Sequence, residues 1–264
     1  MARIALLSLA FLAVLQLAAC SALLPASAAL SEEATPISTP WALVSAGSRN
    51  AQAWQQFKLP GKQPSQFTYV HEDGRHAMAA IARSSASMWR QVMRIEPSEL
   101  GKVKFSWKVP ELIELADMTQ RDADDSPVRI VLAFDGDRSK FSQKNAMLSE
   151  LARLLTGEEL PYATMMYVWC NECKPGSVIV NPRTDRIRKL VVESGTDKLQ
   201  KWVDYERTVR ADFEKVFGEA PGALMSISLM TDTDNTESIA RAWYGPITLV
   251  PGQYDAAKAM GEMQ

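Results

Sequence analysis

The sequence is poor in the residues that most often perform catalysis or bind transition metals. It contains two histidines, His71 and His76, and three cysteines among 264 residues. The histidines flank an Asp-Gly turn signal, so the chain has no HExxH zinc motif. It also lacks a GxSxG nucleophile elbow and a Walker phosphate loop. The sequence therefore contains no complete catalytic motif of these kinds.

Basic residues show no excess that would favour nucleic acid as a partner. Lysine and arginine total 29 against 31 aspartates and glutamates, the formal net charge is −2, and the pI is near 5.8. Proteins that bind nucleic acid neutralise phosphates with clustered lysine and arginine. The charge balance therefore predicts that nucleic acid is not a partner.

A long apolar run at the N-terminus gives residues 1–19 the form of a signal peptide. One arginine precedes the apolar segment Ile4–Leu15, which is too short to span a bilayer comfortably. The string Leu-Ala-Ala before Cys20 resembles the bacterial lipoprotein signal, which predicts that Cys20 is lipidated and anchors the chain. Ser21, which directly follows the cysteine, resembles the residue pattern that sorts bacterial lipoproteins to the outer membrane. The expected location is the periplasmic side of the cell envelope, with an outer-membrane anchor as the only membrane contact.

Two alternatives to the lipid anchor stay open. Ala26-Ser27-Ala28 is a small-x-small site for ordinary signal peptidase, and cleavage there would release a soluble periplasmic protein. The other alternative is a cytosolic protein with an apolar start. The sequence favours export over the cytosolic interpretation.

After the signal, the chain divides into a tether and one domain. Residues 20–40 form the tether, because Ser31–Pro40 is polar and contains two prolines. Residues 41–250 have the length of a single domain, since β-sandwiches often exceed roughly 200 residues without dividing. Residues 251–264 are a C-terminal tail.

Strand patterns dominate the domain. Val103–Val109 alternates apolar and polar residues with a period of two, and Asp73-Gly74 is a hairpin signal. Helical spacing is limited to Asn145–Thr156 and Leu199–Phe217, each followed by glycine. These features predict a mostly β protein, a β-sandwich with one or two accessory helices. The other expected strands are 67–70, 77–82, 88–95, 128–134, 162–169, 178–180, 188–193, 224–231 and 242–250.

Cys170 and Cys173 form a CxxC pair within Trp-Cys-Asn-Glu-Cys-Lys-Pro-Gly. A redox centre needs this motif at a helix N-terminus, whereas here it follows an apolar strand and leads into a turn sequence. No second CxxC is present to complete a zinc site. In an oxidising compartment the favoured interpretation is a local disulfide that clips a hairpin loop. Free thiols and a redox or metal role are the alternatives.

Several strings spread along the domain point to one bacterial family of exported proteins. The most distinctive is Met-Thr-Asp-Thr-Asp-Asn-Thr at 230–236. The others are 124–135, 161–169, 187–195, 217–221 and 243–245, with Trp202, Arg207 and Asp212. Together they resemble the domain-of-unknown-function family 3047 (DUF3047) from about Trp41 to Val250. The resemblance implies a jelly-roll, galactose-binding-like sandwich and no assigned activity, so it supplies no catalytic residues.

The string Thr231–Thr236 is the strongest candidate for a ligand or metal site. Asp232, Asp234 and Asn235 offer three side-chain oxygen ligands in four residues, which suits Ca²⁺. The string lacks the glycine and the terminal glutamate of an EF-hand loop. A turn built by Asp and Asn side chains is the favoured alternative, and a ligand-contacting loop is the second.

Arg129 interrupts an apolar strand, where an unpaired charge would be too costly to bury. It either forms a structural salt bridge or faces a groove and contacts ligand. Arg207 and Asp212, five apart on one predicted helix, should each have a separate partner. The candidate partners of Arg129 are Asp124, Asp125, Asp135, Asp137, Asp232 and Asp234.

Aromatic side chains suit sugar recognition, because their faces stack on the apolar faces of pyranose rings. Trp107 shares the core-facing side of its strand, so we expect it to be buried. Trp169 and Tyr244 are the aromatic candidates for an exposed groove.

These observations predict a carbohydrate-binding module that performs no catalytic turnover. One alternative is a glycoside hydrolase or esterase that pairs Asp135 or Asp137 with Asp232 or Asp234. Another is an envelope-assembly protein that contacts other proteins through an exposed apolar patch. No cofactor is expected beyond the Ca²⁺ that Asp232, Asp234 and Asn235 would bind. The predicted ligand-binding residues are Arg129, Asp135, Trp169, Arg207, Asp232, Asp234, Asn235 and Tyr244.

Overall fold

The computed structural model of the protein describes residues 39–47 and 50–252. Its helices are α1 (Pro40–Val44), α2 (Gln143–Thr156) and α3 (Val209–Phe217), with a 3-10 turn at Arg138–Lys140. None of these helices is both long enough and apolar enough to cross a membrane. The predicted signal peptide, Cys20 and nearly all of the tether lie outside the described residues, as does most of the C-terminal tail.

The strands are β1 (Gln55–Lys58), β2 (Gln66–Glu72), β3 (Arg75–Arg83), β4 (Ser87–Ile95), β5 (Lys102–Lys108), β6 (Ser126–Phe134), β7 (Ala163–Cys170), β8 (Val178–Val180), β9 (Ile187–Ser194), β10 (Trp202–Thr208), β11 (Leu224–Asp232), β12 (Ile239–Tyr244) and β13 (Thr248–Val250).

The strands form two sheets. The seven-stranded sheet has the order β1-β4-β11-β6-β7-β9-β8, and the second has the order β10-β5-β12-β3-β2 with β13 beside β5. Every described pairing is antiparallel except that of β7 with β9. The predicted mostly β sandwich is therefore confirmed.

Large aromatic side chains fill the space between the sheets. Trp107 on β5 and Trp169 on β7 are fully buried, and their rings lie 6.5 Å apart. Phe105 stacks on Tyr167 at 5.4 Å, again from one sheet to the other. Burying such side chains removes much apolar surface from water and favours the packed state. The prediction that Trp107 belongs to the core is confirmed.

The Asp-Gly signal forms the turn between β2 and β3. Asp73 and Gly74 both have positive φ, at 46° and 78°. Two positive φ values define the two-residue hairpin turn whose twist matches the flanking strands, and glycine adopts the second without steric cost. The predicted hairpin is confirmed.

The helix predicted over Leu199–Phe217 is wrong in its first half. Trp202–Thr208 is strand β10, which pairs along its length with β5, and only Val209–Phe217 is helical. The first half is rich in aromatic and β-branched residues, which pack well on a sheet. The predicted stop at Gly218 is confirmed, since this glycine adopts the left-handed cap with φ 73°.

The strands around the cysteine loop do not pair with each other. β9 lies between them, parallel to β7 and antiparallel to β8. Cys170 and Cys173 are joined by a disulfide with a Cα–Cα distance of 5.6 Å. The bridge therefore clips a crossover connection and not the predicted hairpin.

Helix α2 attaches to the domain by polar side chains. Its buried residues are Asn145 and Ser149. The Asn145 amide donates to Asp185 at 2.7 Å and accepts from the Thr184 hydroxyl at 2.8 Å. Since the polar side faces inward, Leu151 and other apolar side chains of α2 are left exposed.

Candidate binding groove

A groove with a volume of about 490 Å³ lies over the outer face of the seven-stranded sheet. This volume is within the range of small-molecule sites. Helix α2 forms one wall through Leu148, Leu151 and Leu155. The floor consists of apolar side chains from the central strands, chiefly Met88, Val131, Ala133, Met166 and Met230.

Four charged side chains form the buried charge cluster, which we define as Arg129, Asp232, Asp124 and Lys189. Arg129 donates from Nε and Nη2 to the two carboxylate oxygens of Asp232, at 2.8 and 2.9 Å. Its Nη2 also donates to Asp124 Oδ1 at 3.1 Å, and Lys189 Nζ donates to Asp124 Oδ2 at 2.7 Å. All four side chains line the groove and are buried.

The loop before β6 covers this cluster. It supplies Asp124 itself, and its Met118 carbonyl accepts from Lys189 Nζ at 3.1 Å. Asn181 donates its amide to Asp124 Oδ2 at 3.1 Å. Buried charges are tolerated only when they are paired and their remaining hydrogen-bonding atoms are satisfied, as they are here. Arg129 therefore both forms a structural salt bridge and lines a groove.

Burial shifts the pKa values of the cluster. It raises the pKa of Asp232 to about 7 even though the Arg129 charge acts in the opposite direction. Burial, together with the nearby positive charge of Arg129, lowers the pKa of Lys189 to about 8. Perturbed titratable groups that line a cleft are typical of functional sites, although structural ion pairs produce similar shifts.

Three carboxylates meet beside the polar end of the groove, which Asp232 and Asp234 line and Asp125 does not. Oxygens of Asp125, Asp232 and Asp234 lie within 4.8 Å of one another. Asp125 takes the place that the sequence assigned to Asn235, whose amide instead donates to the Arg121 carbonyl at 3.1 Å. Oxygen ligands in this arrangement suit a hard cation such as Ca²⁺.

Existing bonds already occupy these carboxylates. Asp125 accepts from the backbone nitrogen and the hydroxyl of Thr236, both at 2.7 Å, so a distant carboxylate holds this turn and not the Asp and Asn side chains of the string itself. Asp234 forms an ion pair with Lys62, and Asp232 forms one with Arg129. A cation would have to share these oxygens.

Asp135 lies at the opposite end of β6 from the cluster. Asp232 is paired with Ser126 at the start of β6, whereas Leu224 is paired with Phe134 at its end. Eight residues of strand span about 26 Å. A paired-acid hydrolase needs its carboxylates within about 5–10 Å, so Asp135 with Asp232 is wrong as a catalytic pair.

The surroundings of Asp135 and Asp137 are different from those of the groove. Asp135 accepts from Arg94 and Arg138, and Asp137 caps the 3-10 turn through Ser139. Neither aspartate lines the groove. The alternative pair of Asp137 with Asp234 is wrong for the same reason of distance along β6.

The two aromatic candidates are wrong as exposed groove residues. Trp169 and Tyr244 both have 0% exposure. Trp169 Nε1 donates to the Gly195 carbonyl at 2.9 Å, and the Tyr244 hydroxyl donates to the Met230 carbonyl at 2.6 Å. Both side chains point from their strands into the core, where these bonds satisfy their polar atoms.

Arg207 and Asp212 bond to each other, contrary to the prediction of separate partners. Arg207 Nη2 donates to Asp212 Oδ1 at 2.5 Å and Nε donates to Oδ2 at 2.8 Å. The Tyr167 hydroxyl also donates to Asp212 Oδ2, at 2.9 Å. Because Arg207 lies near the end of β10 and Asp212 belongs to α3, the pair anchors a helix to the sandwich, and neither residue lines the groove.

Four of the eight predicted ligand residues thus line one groove: Arg129, Asp232, Asp234 and Asn235. The sequence interpretation missed Lys189 and Lys62. Lys189 directly follows Arg188 near the start of its strand, so the sequence does not single it out as it does Arg129. Lys62 lies in a loop, and no local pattern distinguishes it.

Comparison with known proteins adds a family to this geometry. The sequence profile described as "Protein of unknown function (DUF3047)" matches residues 52–248. Among curated proteins, none matches the chain significantly. The matched segment begins before β1 and reaches β13, so it contains both sheets and the groove. The chain belongs to the DUF3047 family.

Proposed function

We propose that the protein is a binding module of the bacterial cell envelope that recognises a sugar in the groove and performs no catalytic turnover. The observation that carries this proposal is the convergence of Arg129, Asp232, Asp234 and Asn235 at one end of an open groove. Arg129 comes from β6, and the other three come from the single string at 232–235 that follows much later in the sequence. Convergent polar groups beside an apolar surface are typical of ligand sites.

The polar end of the groove suits hydroxyl groups. Lys62, Asn181, Arg183 and Asn235 are at least partly exposed there and line the groove. Ammonium, amide and guanidinium groups donate hydrogen bonds, and amide oxygens accept them, so together they match the donors and acceptors of a sugar. The buried charge cluster behind them fixes the positions of neighbouring side chains.

Binding without turnover fits the state of the carboxylates. Asp124, Asp232 and Asp234 each form an ion pair with a cation of the groove. A general acid and base pair needs carboxyl groups that are available to exchange protons with substrate. The carboxylates of the groove serve instead as partners for Lys62, Arg129 and Lys189.

The proposal includes a Ca²⁺ ion bound beside the sugar, and titration with and without Ca²⁺ tests it. Asp125, Asp232 and Asp234 would supply the oxygens, and the ion would replace the positive charge of Lys62. The lipoprotein-like signal before Cys20 supports the envelope location. A jelly-roll, galactose-binding-like strand order would also fit a sugar ligand.

The test is calorimetric titration of the full chain carrying Cys20→Ala, which keeps the protein free of attached lipid. Free monosaccharides and oligosaccharides of bacterial envelopes are titrated with and without Ca²⁺. We expect at least one sugar to bind, and Asn235→Ala to weaken it by about fivefold or more, since a lost hydrogen bond is worth roughly 1 kcal/mol.

Lys62→Met should weaken the same sugar, whereas Lys58→Met should not. Both lysines are exposed, but only Lys62 lines the groove. Absence of binding by every sugar tested, or equal effects of the two lysine variants, would overturn the proposal.

A further inference from the structure

We infer that the apolar part of the groove binds a hydrocarbon chain, so that the ligand is a glycolipid with its sugar at the polar end. The inference rests on the proposed function in that both use the same groove. It assigns a partner to the floor and to the α2 wall, which a free sugar leaves uncovered.

The floor has the chemistry of a hydrocarbon site. Ala86, Val131 and Met230 pack in one cluster on the outer face of the sheet, with Met88 and Met166 against them. Methionine side chains are flexible and adapt to irregular apolar ligands. These side chains offer no strong hydrogen-bonding atoms to a sugar hydroxyl.

Aromatic stacking is not available on this floor. Among the described residues that line the groove, Phe57 is the only aromatic one. The Arg90 guanidinium covers its ring, with the guanidinium carbon 4.0 Å from the ring centre. The groove beyond its polar end therefore fits an alkyl chain better than a second sugar ring.

Helix α2 supplies the apolar wall of the groove. Leu148, Leu151 and Leu155 recur with helical spacing and line the groove. Leu151 is 50% exposed and Leu155 is 61% exposed. Because Asn145 and Ser149 occupy the inner side of the helix, these leucines have no core to enter.

The charges of the groove favour an uncharged head group. Five cations and five carboxylates line the groove; Arg129, Lys62, Lys189 and Arg90 each have a carboxylate partner, whereas Arg183 has none among the described ion pairs. A fatty acid or an anionic phospholipid would find only Arg183 unpaired among these cations and would bring a net negative charge to a lining whose charges balance. A sugar head needs hydrogen bonds and no net charge, so a glycolipid fits both ends of the groove.

The experiment uses alkyl glycosides that share one sugar head and differ in chain length. The chain carrying Cys20→Ala is titrated below the micelle concentration of each probe, alongside the free sugar and a lysophospholipid. A buried methylene is worth about 0.8 kcal/mol, so we expect affinity to rise about three- to fourfold with each added methylene until the groove is filled.

Two leucines of α2 provide matched variants. Leu151→Glu should weaken a long alkyl glycoside by about tenfold or more and remove the dependence on chain length. Leu154→Glu should have no effect, because Leu154 is 69% exposed and does not line the groove. Both positions are solvent-exposed, so the variants should fold, which near-ultraviolet circular dichroism checks.

The outcomes separate the two proposals. Binding of the free sugar with no dependence on chain length overturns the hydrocarbon site and leaves sugar recognition standing. Chain-dependent binding that is equal for the lysophospholipid supports the hydrocarbon site but overturns the sugar head. Equal weakening by Leu151→Glu and Leu154→Glu overturns the assignment of the chain to this groove, and absence of all binding overturns both proposals.

Discussion

The two outer faces of the sandwich differ in how far their charged side chains are buried. On the seven-stranded sheet, β6 is buried at every position, because α2 and the loop before β6 cover its outer side. On the six-stranded sheet, β10 alternates between exposed and half-buried positions, as a strand with one face in water does. Both faces contain ion pairs, but only the first removes them from water.

This difference matches the site that we propose on the seven-stranded sheet. Arg75 pairs with Asp204, and Lys102 and Lys104 pair with Glu206, all largely exposed. Such pairs contribute little to stability, whereas the removal of one partner from a buried pair leaves an uncompensated charge. The buried cations on the outer face of the seven-stranded sheet are therefore held by a structure that surrounds them.

The largest effect is expected from breaking the buried ion pairs of the seven-stranded sheet. Arg129→Met leaves Asp232 without its ion-pair partner and Asp124 with only Lys189. We expect the free energy of unfolding to fall by about 3–5 kcal/mol, because a buried charge then lacks compensation. Chemical denaturation monitored by tryptophan fluorescence measures this loss.

Arg75→Met on the open face is the matched control. Its pair with Asp204 is exposed, so we expect a loss of less than about 1 kcal/mol. Similar losses for both variants would show that the two faces do not differ in the way the contacts indicate.

The second prediction concerns pH. As pH rises, the contribution to stability of a lysine on one face should increase and that of a lysine on the other face should decrease. Burial lowers the pKa of Lys189 to about 8 from 10.5, so between these pH values the unfolded chain binds more protons than the folded one. Stability then rises with pH across this window, by an amount on the order of 1–3 kcal/mol. Hydrogen bonds from Lys108 to Asp73 and Glu72 raise the pKa of Lys108 above 10.5, so its contribution is lost as pH rises beyond that value.

The measurement is the difference in unfolding free energy between the wild type and Lys189→Met, followed from pH 7 to 10. Groups that do not interact with Lys189 cancel in this difference. A difference that stays constant with pH would contradict the lowered pKa of Lys189.

The smallest effect is expected on the open face. Glu206→Gln removes the partner of Lys102 and Lys104, and the hydrogen bonds of these lysines lower the pKa of Glu206 to about 2. Because this carboxylate is solvent-exposed, salt and water screen the pair. We expect the midpoint of thermal unfolding to stay within experimental error, and a clear shift would show that the lysine pairs are stronger than their exposure implies.

Local patterns in the sequence predicted much of the fold. The period of two in β5, the Asp73-Gly74 turn and the glycine stops depend on residues close together in the chain. The parallel pairing of β7 with β9 depends on which distant strands meet, and no local pattern encodes it. The strand within Leu199–Phe217 was missed because its apolar spacing also fits a helix.

The site was predictable only in part for the same reason. Arg129 is visible as a cation within an apolar strand, and Asp232 lies in an unusual acidic string, whereas Lys189 stands beside Arg188 and does not stand out. Alternation shows that Trp169 and Tyr167 share a side of β7, but it does not show whether that side faces the core or the groove. Asp125 and Lys62 reach the polar end through loop geometry, which the sequence does not encode locally.

Both borders of the seven-stranded sheet are closed by very short strands. β1 has four residues and β8 has three, so each border offers few unpaired backbone groups to another chain. Long, flat borders recruit foreign strands, and short ones discourage such recruitment. A partner that added a strand to this sheet would find few backbone groups with which to form hydrogen bonds. Association with other molecules is therefore directed to the faces of the sandwich.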